Sequence, residues 1–146
     1  MRFQELQAGQ RFLTGATVVT ERDMRAFAEA FDPQPMHLAA GGAAQNPFGH
    51  TIASGYHTLA LSWRLWIDTG VLGADAFAGL GLDELRWLRP VFAGDRLSVE
   101  VEVLESRPSA SHPGTGVVRL ALSTRNQRKE LVLTYRTAAL IRGSGG

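Results

Sequence analysis

The sequence predicts an α+β fold in which a long antiparallel sheet wraps around one buried helix. Three observations carry that prediction. Residues 55–69 show a helical pattern that is apolar almost all round, the mark of a helix enclosed by the rest of its domain. From about residue 82 onward the hydrophobic period changes to 2, the period of half-buried strands. Ahead of both lie only one short strand and one amphipathic helix, so a single sheet must bury its face against a thin helical layer.

The elements follow in order. Residues 12–19 read as a short strand, with turn residues at Gly9 and Gly15. Thr20 opens a helix, because Thr-x-x-Asp with Asp23 offers an N-cap and a favourable charge in the first turn. Met24, Phe27, Ala28 and Phe31 then recur at i, i+3, i+4 and i+7 as one apolar stripe. Asp32-Pro33 ends this helix, since a residue before proline is pushed out of the α region. Residues 32–54 are irregular and rich in Gly, Ala and Pro; a short helix over 38–44 is weakened by Gly41 and Gly42. Helix 55–69, roughly 22 Å long at 1.5 Å per residue, carries Leu59, Trp63, Trp66 and Ile67 on one side.

Four strands complete the chain. One runs over 82–88. The others are marked by Leu97, Val99, Val101 and Val103, by Val118, Leu120 and Leu122, and by Leu131, Leu133 and Tyr135, each alternating with its neighbours. The arrangement is of the hot-dog type. With 146 residues and 45% hydrophobic content, residues 1–142 make one domain able to bury a core. The tail 143–146, Gly-Ser-Gly-Gly, is expected to be disordered.

Composition excludes several chemistries. Without cysteine there are no disulfides, thiolate metal sites, iron–sulfur clusters or cysteine nucleophiles. The formal charge is +1, and the local groups Arg86/Arg89 and Arg125/Arg128/Lys129 have no interleaved aromatics, so no nucleic-acid partner is expected. The opening MRFQELQAGQ lacks the apolar core of a signal peptide. Residues 56–72 are interrupted by His57, Ser62, Arg64 and Asp68 and fall short of a membrane span. The expectation is a soluble, cytoplasmic protein with no membrane association.

The chemistry concentrates in Phe31-Asp32-Pro33-Gln34-Pro35-Met36-His37. A carboxylate and an imidazole lie five residues apart on a segment that two prolines exclude from regular helix. The residues alone leave two readings open. Asp32 caps a turn and His37 is a partly buried histidine, or the two form an acid–base pair.

The segment 27–61 resembles the signature of MaoC-like dehydratases and (R)-specific enoyl-CoA hydratases. In that family Asp-x-Asn-Pro-(aliphatic)-His is followed, after about sixteen residues, by an (Ile/Val)-Ala-(His/Ser)-Gly turn that opens the central helix. Here the matching residues are Asp32-Pro33-Gln34-Pro35-Met36-His37 and Ile52-Ala53-Ser54-Gly55, and Leu85-Arg86-Trp87-Leu88-Arg89-Pro90-Val91-Phe92-Ala93-Gly94-Asp95 resembles a third family segment. The resemblance implies a catalytic pair Asp32 and His37 and an oxyanion donor at the Gly55 amide; Ser54, Tyr56 and Trp63 are candidate substrate contacts, although Trp63, like Trp66, is most simply core with one edge available to wall an acyl pocket. Gln34 departs from the usual Asn, Ala39 from an Asp, and Trp63 from a serine found in some (R)-hydratases; the last two bear on substrate and direction.

The implied reaction is hydration of a 2-enoyl-CoA to the (R)-3-hydroxyacyl-CoA, or its reverse, with no cofactor and no metal. A base must sharpen water and an acid must supply the Cα proton, work suited to an Asp/His pair sharing one water. Charge developing on the thioester oxygen suits an amide at a helix start, and a glycine there admits the carbonyl closely. For Gly55 a simple tight turn is the other reading. Rival activities are a thioesterase using Asp32 to activate water, and a non-catalytic acyl-CoA-binding subunit; two reactive groups on one loop favour the hydratase. His50 and His57 flank the Ser54-Gly55 turn, but their spacing of seven matches no common zinc motif, and they are read as solvated or supporting histidines. A single sheet of this kind leaves a long edge open to pairing. The expected partner is therefore a second copy in a two-fold homodimer, with thioester sites near the interface.

Overall fold

The computed structural model describes residues 1–38 and 46–144. A short 3-10 turn, Phe3–Glu5, precedes β1 (Arg11–Val18) and α1 (Glu21–Phe31). A second 3-10 turn, Pro35–His37, leads towards α2 (Gly55–Asp68). Then come β2 (Ala76–Trp87), β3 (Arg96–Pro108), β4 (Thr115–Arg125) and β5 (Leu131–Arg142). The strands form one sheet in the order β1-β3-β4-β5-β2, with every pairing antiparallel. The expected α+β architecture and the hot-dog layout are both present.

The long strands β3, β4 and β5 turn alternate side chains inward, including Val99, Val101, Val103, Leu120, Leu122, Leu133 and Tyr135. Trp66 of α2 is fully buried against this face, 5.6 Å from the Phe12 ring of β1. Helix α1 starts as its sequence dictates: the Asp23 N–H donates to the Thr20 hydroxyl at 3.1 Å, which satisfies one of the free amides of the first turn.

Several boundaries and faces differ from expectation, each for a physical reason. Strand β2 begins six residues earlier than 82, because register shifts at Ala76/Ala78, Gly79/Gly81 and Asp83/Arg86 break its alternation. On α1, Met24 and Ala28 are buried, but Phe31 at the helix end is 76% exposed, past the end of the buried stripe. On α2 the buried face is His57, Thr58, Ser62, Leu65 and Trp66, whereas Ile67 is exposed and Trp63 only partly covered. Hydropathy misses that face because Ser62 finds its partners on the sheet. The Thr124 hydroxyl donates to Ser62 Oγ at 2.9 Å, and Ser62 Oγ lies 2.9 Å from the Tyr135 hydroxyl. Burial pushes the Tyr135 phenol up to about 12. Beyond residue 142 the Gly143 N–H donates to Gly114 O, and the Ser144 N–H to Gln4 Oε1. The expected helix over 38–44 and the Ala39 departure lie outside the described residues for all but Leu38, as does the end of the tail, 145–146.

Candidate active site

The Pro33/Pro35 segment turns on itself just beyond α1. The Gln34 N–H donates to Asp32 O at 2.8 Å, the His37 N–H to Gln34 O at 2.9 Å, and the Leu38 N–H to Pro35 O at 3.2 Å. The segment is tied to the approach of α2 by Ile52 N–H to Met36 O at 3.1 Å, and that approach to the sheet by Ala53 N–H to Val91 O at 2.8 Å. Two short stretches far apart in the chain thus bring Asp32, His37 and the start of α2 together.

Both Asp32 oxygens are engaged. Gln34 Nε2 donates to Oδ1 and Ser54 Oγ to Oδ2, each at 2.7 Å. These bonds, the Gln34 bond first, hold the carboxyl below its ordinary value against partial burial that pushes the other way; His37 adds a smaller favourable interaction. The buried His37 places Nδ1 2.9 Å from Ile52 O. A carbonyl can only accept, so Nδ1 carries a proton and Nε2 is the nitrogen turned towards Asp32. Nε2 stands 3.4 Å from Asp32 Oδ2, long for a direct hydrogen bond and suited to gripping one water from two sides.

Asp32 and His37 open onto a cleft of about 420 Å³. Met36, Phe48, Ile52, Trp87, Leu88 and Val91 supply apolar walls, and Gly55, Tyr56 and Thr58 bring the first turn of α2 to its side. Gly55 is the first residue of α2, so its N–H belongs to those a helix leaves without an internal partner.

The residues expected at the site do not all take their expected places. Asp32, His37, Gly55 and Tyr56 line the cleft. Ser54 does not: it is 1% exposed beneath the cleft, and its hydroxyl is committed to Asp32. Trp63 does not either, because it lies two turns along α2 and packs against the core. The reason for glycine at 55 also changes. A Cβ there would stand 2.5 Å from the Trp87 ring, whose Nε1 donates to Gly55 O at 2.9 Å. The missing side chain makes room for an indole of β2, which also meets the Tyr56 ring edge-on at 5.4 Å. Trp87 escaped the sequence reading because strand periodicity says nothing about which helix end a side chain reaches. Gln34 was legible only as a departure, although an amide fixed between two prolines beside Asp32 is a signal in itself.

His57 is neither solvated nor at the cleft. It stacks on Phe27 at 4.9 Å, and burial depresses its imidazole, partly countered by Asp23. His50 is exposed beside Phe92. Among the described residues no three His, Asp or Glu side chains converge as a metal site, and no helix is long and apolar enough to cross a membrane.

Residues 3–126 match the family model described as the MaoC like domain. The chain belongs to the MaoC-like dehydratase family. Two relatives are informative. It is 37% identical over 142 residues, 97% of this chain and 99% of the other, to the uncharacterized protein YdeM of Bacillus subtilis. It is 35% identical over 108 residues, 73% of this chain and 69% of the other, to 3-hydroxyacyl-thioester dehydratase Z of Mycobacterium tuberculosis. Among solved structures, the MaoC-like dehydratase from Rhodospirillum rubrum superposes with a TM-score of 0.90 at 35% identity, covering 100% of this chain and 99% of that one. The R-hydratase PhaJ1 from Pseudomonas aeruginosa gives 0.75 at 31% identity, covering 98% and 86%. This MaoC-like chain thus resembles an R-hydratase in fold and a 3-hydroxyacyl-thioester dehydratase in sequence.

Proposed function

We propose that this MaoC-like protein interconverts a 2-enoyl thioester and the (R)-3-hydroxyacyl thioester, with Asp32 and His37 as the acid–base pair. The observation that carries the reading is the 3.4 Å gap between Asp32 Oδ2 and His37 Nε2, at the wall of a largely apolar cleft. The names of the hydratase and dehydratase relatives support it.

In the hydration direction, water held across the gap gives its hydroxyl to Cβ. Its remaining proton passes to His37 Nε2 and then to Cα, so the elements of one water are added and the pair returns to its starting state. Asp32, kept anionic by Gln34 and Ser54, orients that water and stabilises the transient imidazolium. The Gly55 N–H at the start of α2 stabilises the charge that develops on the thioester oxygen. The acyl chain occupies the apolar part of the cleft. The expected assembly is a homodimer.

The test is loss of enoyl absorbance with a panel of enoyl-CoA substrates, with thiol release followed in parallel. Hydration without thiol release is expected, and thiol release alone would make the protein a thioesterase. Asp32→Asn and His37→Gln should each lower kcat by roughly 10²–10⁴-fold. The double variant should fall little further, because groups sharing one water act as a unit. Either single variant keeping more than about a tenth of wild-type turnover removes that residue from acid–base catalysis, since the loss would be under ~1.4 kcal/mol.

A further inference from the structure

Helix α2 opens with two successive amides that have no partner inside the helix, those of Gly55 and Tyr56. Among the described residues neither N–H donates to a backbone carbonyl, and both residues line the cleft that holds Asp32 and His37. The carbonyl end of each of these two peptides is occupied. Ser54 O, in the peptide that carries the Gly55 N–H, accepts from the His57 N–H at 3.0 Å and the Thr58 N–H at 3.1 Å. Gly55 O, in the peptide that carries the Tyr56 N–H, accepts from Trp87 Nε1 at 2.9 Å. A hydrogen bond accepted at a peptide carbonyl polarises the whole unit and strengthens its N–H as a donor.

Strand β2 is bent to deliver that indole. Its ladder with β5 shifts register between Asp83 and Arg86, and Glu84 inside the bulge has a φ of 50°, uncommon for a residue with a side chain. Beyond the bulge the strand is fastened again, with Trp87 opposite Leu133 and the Leu88 N–H on Val132 O at 2.9 Å. At 46% exposure the ring has water within reach of its N–H, so burial alone does not force the bond to Gly55 O. Building on the thioester reading, we propose that the Tyr56 N–H is a second oxyanion donor beside the Gly55 N–H, and that Trp87 is the positioning residue that polarises it. Charge grows on the thioester oxygen only as the transition state is approached, so a strengthened donor there raises turnover more than binding.

Replacing the residue 56 amide by an ester, through the α-hydroxy analogue of tyrosine in the full chain, deletes that N–H and keeps the side chain. No helical bond goes with it, because the second amide of a helix donates none. In enoyl-CoA hydration the ester should lower kcat by about 10²-fold, the range for one oxyanion donor, with KM little changed. Trp87→Phe keeps a ring in the cleft wall and removes only the indole donor; it should lower kcat by about tenfold, less than outright loss of the amide. Benzothienylalanine at position 87, which has the shape of tryptophan without its N–H, should match it. Added to the ester, either change at 87 should cost no more turnover, since Trp87 acts through an amide already gone. A second readout needs no turnover. The carbonyl stretching frequency of bound, carbonyl-¹³C-labelled butyryl-CoA, which is saturated and cannot be hydrated, should lie lower in the wild type than in each variant. Wild-type kcat in the ester, an equal loss at position 87 with and without the ester, or an unmoved carbonyl band overturns the proposal. A band that shifts as expected in a protein that hydrates no enoyl-CoA would instead sink the hydratase reading and leave the second donor standing.

Discussion

Asp32 is anchored before any substrate arrives, with Gln34 on one oxygen and Ser54 on the other. Hydrogen bonds to the charged form lower a carboxyl's pKa, and here the Gln34 bond is the largest cause. The direction fixes a linkage. A carboxyl depressed in the folded state stabilises the fold above its unfolded value of about 3.9 and loses that contribution as pH falls through the folded value. A ¹³C titration of the Asp32 carboxyl should therefore find its midpoint below 3.8 in the wild type, and nearer the ordinary value in Gln34→Leu. An unmoved midpoint would mean that Gln34 does not hold the carboxylate. At this scale the sequence was informative about identity and poor about role. Asp32 and His37 stood out because prolines remove any helical explanation for them. Ser54 shows the limit: a sequence cannot say whether a hydroxyl faces the cleft or, as here, donates to the carboxylate beside it.

At the scale of elements, helices and strands were legible where their hydrophobic period was clean, as in α1, β3, β4 and β5. The period failed where the chain bends or buries polar groups. Bulges hid the first half of β2, with Gly81 at φ +140° opening one of them. The hydroxyl cluster Ser62, Thr124 and Tyr135 disguised the inward face of α2, because mutual hydrogen bonding across the two layers leaves no trace in local sequence. The contact between α2 and β2 is equally invisible and has a measurable consequence. Gly55 and Trp87 occupy one space, with an added Cβ 2.5 Å from the ring. Gly55→Ala should lower the melting temperature and displace the indole. Trp87→Leu should also destabilise, through the lost Nε1 bond and the lost ring. Combined, the two should cost less than their sum by about 0.5–3 kcal/mol, the range for residues that share a space. Strict additivity in urea unfolding would show that the two positions do not compete.

The whole molecule leaves one flank of its sheet unusually apolar. Strand β2 is one of the two outer strands, and Phe77, Leu80, Leu82, Trp87 and Leu88 on or just beyond it are each between 44% and 52% exposed. Isolated apolar residues on a surface are ordinary, but a run of them along an open strand is a template for pairing with another chain. Tyr56, 62% exposed at the start of α2, extends the patch through its contact with Trp87. A second copy related by a two-fold axis would cover the patch with itself, and any substitution there acts twice in the interface. Light scattering at micromolar concentration should therefore give twice the chain mass of 15.8 kDa. Leu80→Glu/Leu82→Glu, which sets like charges against each other across the axis, should shift the protein to the single-chain mass. Because Trp87 belongs both to the exposed flank and to the cleft wall, that variant should also lose hydratase activity despite leaving Asp32 and His37 untouched. A wild-type protein of single-chain mass at these concentrations would overturn the dimer. A fully active monomeric variant would show instead that the cleft is complete without its partner.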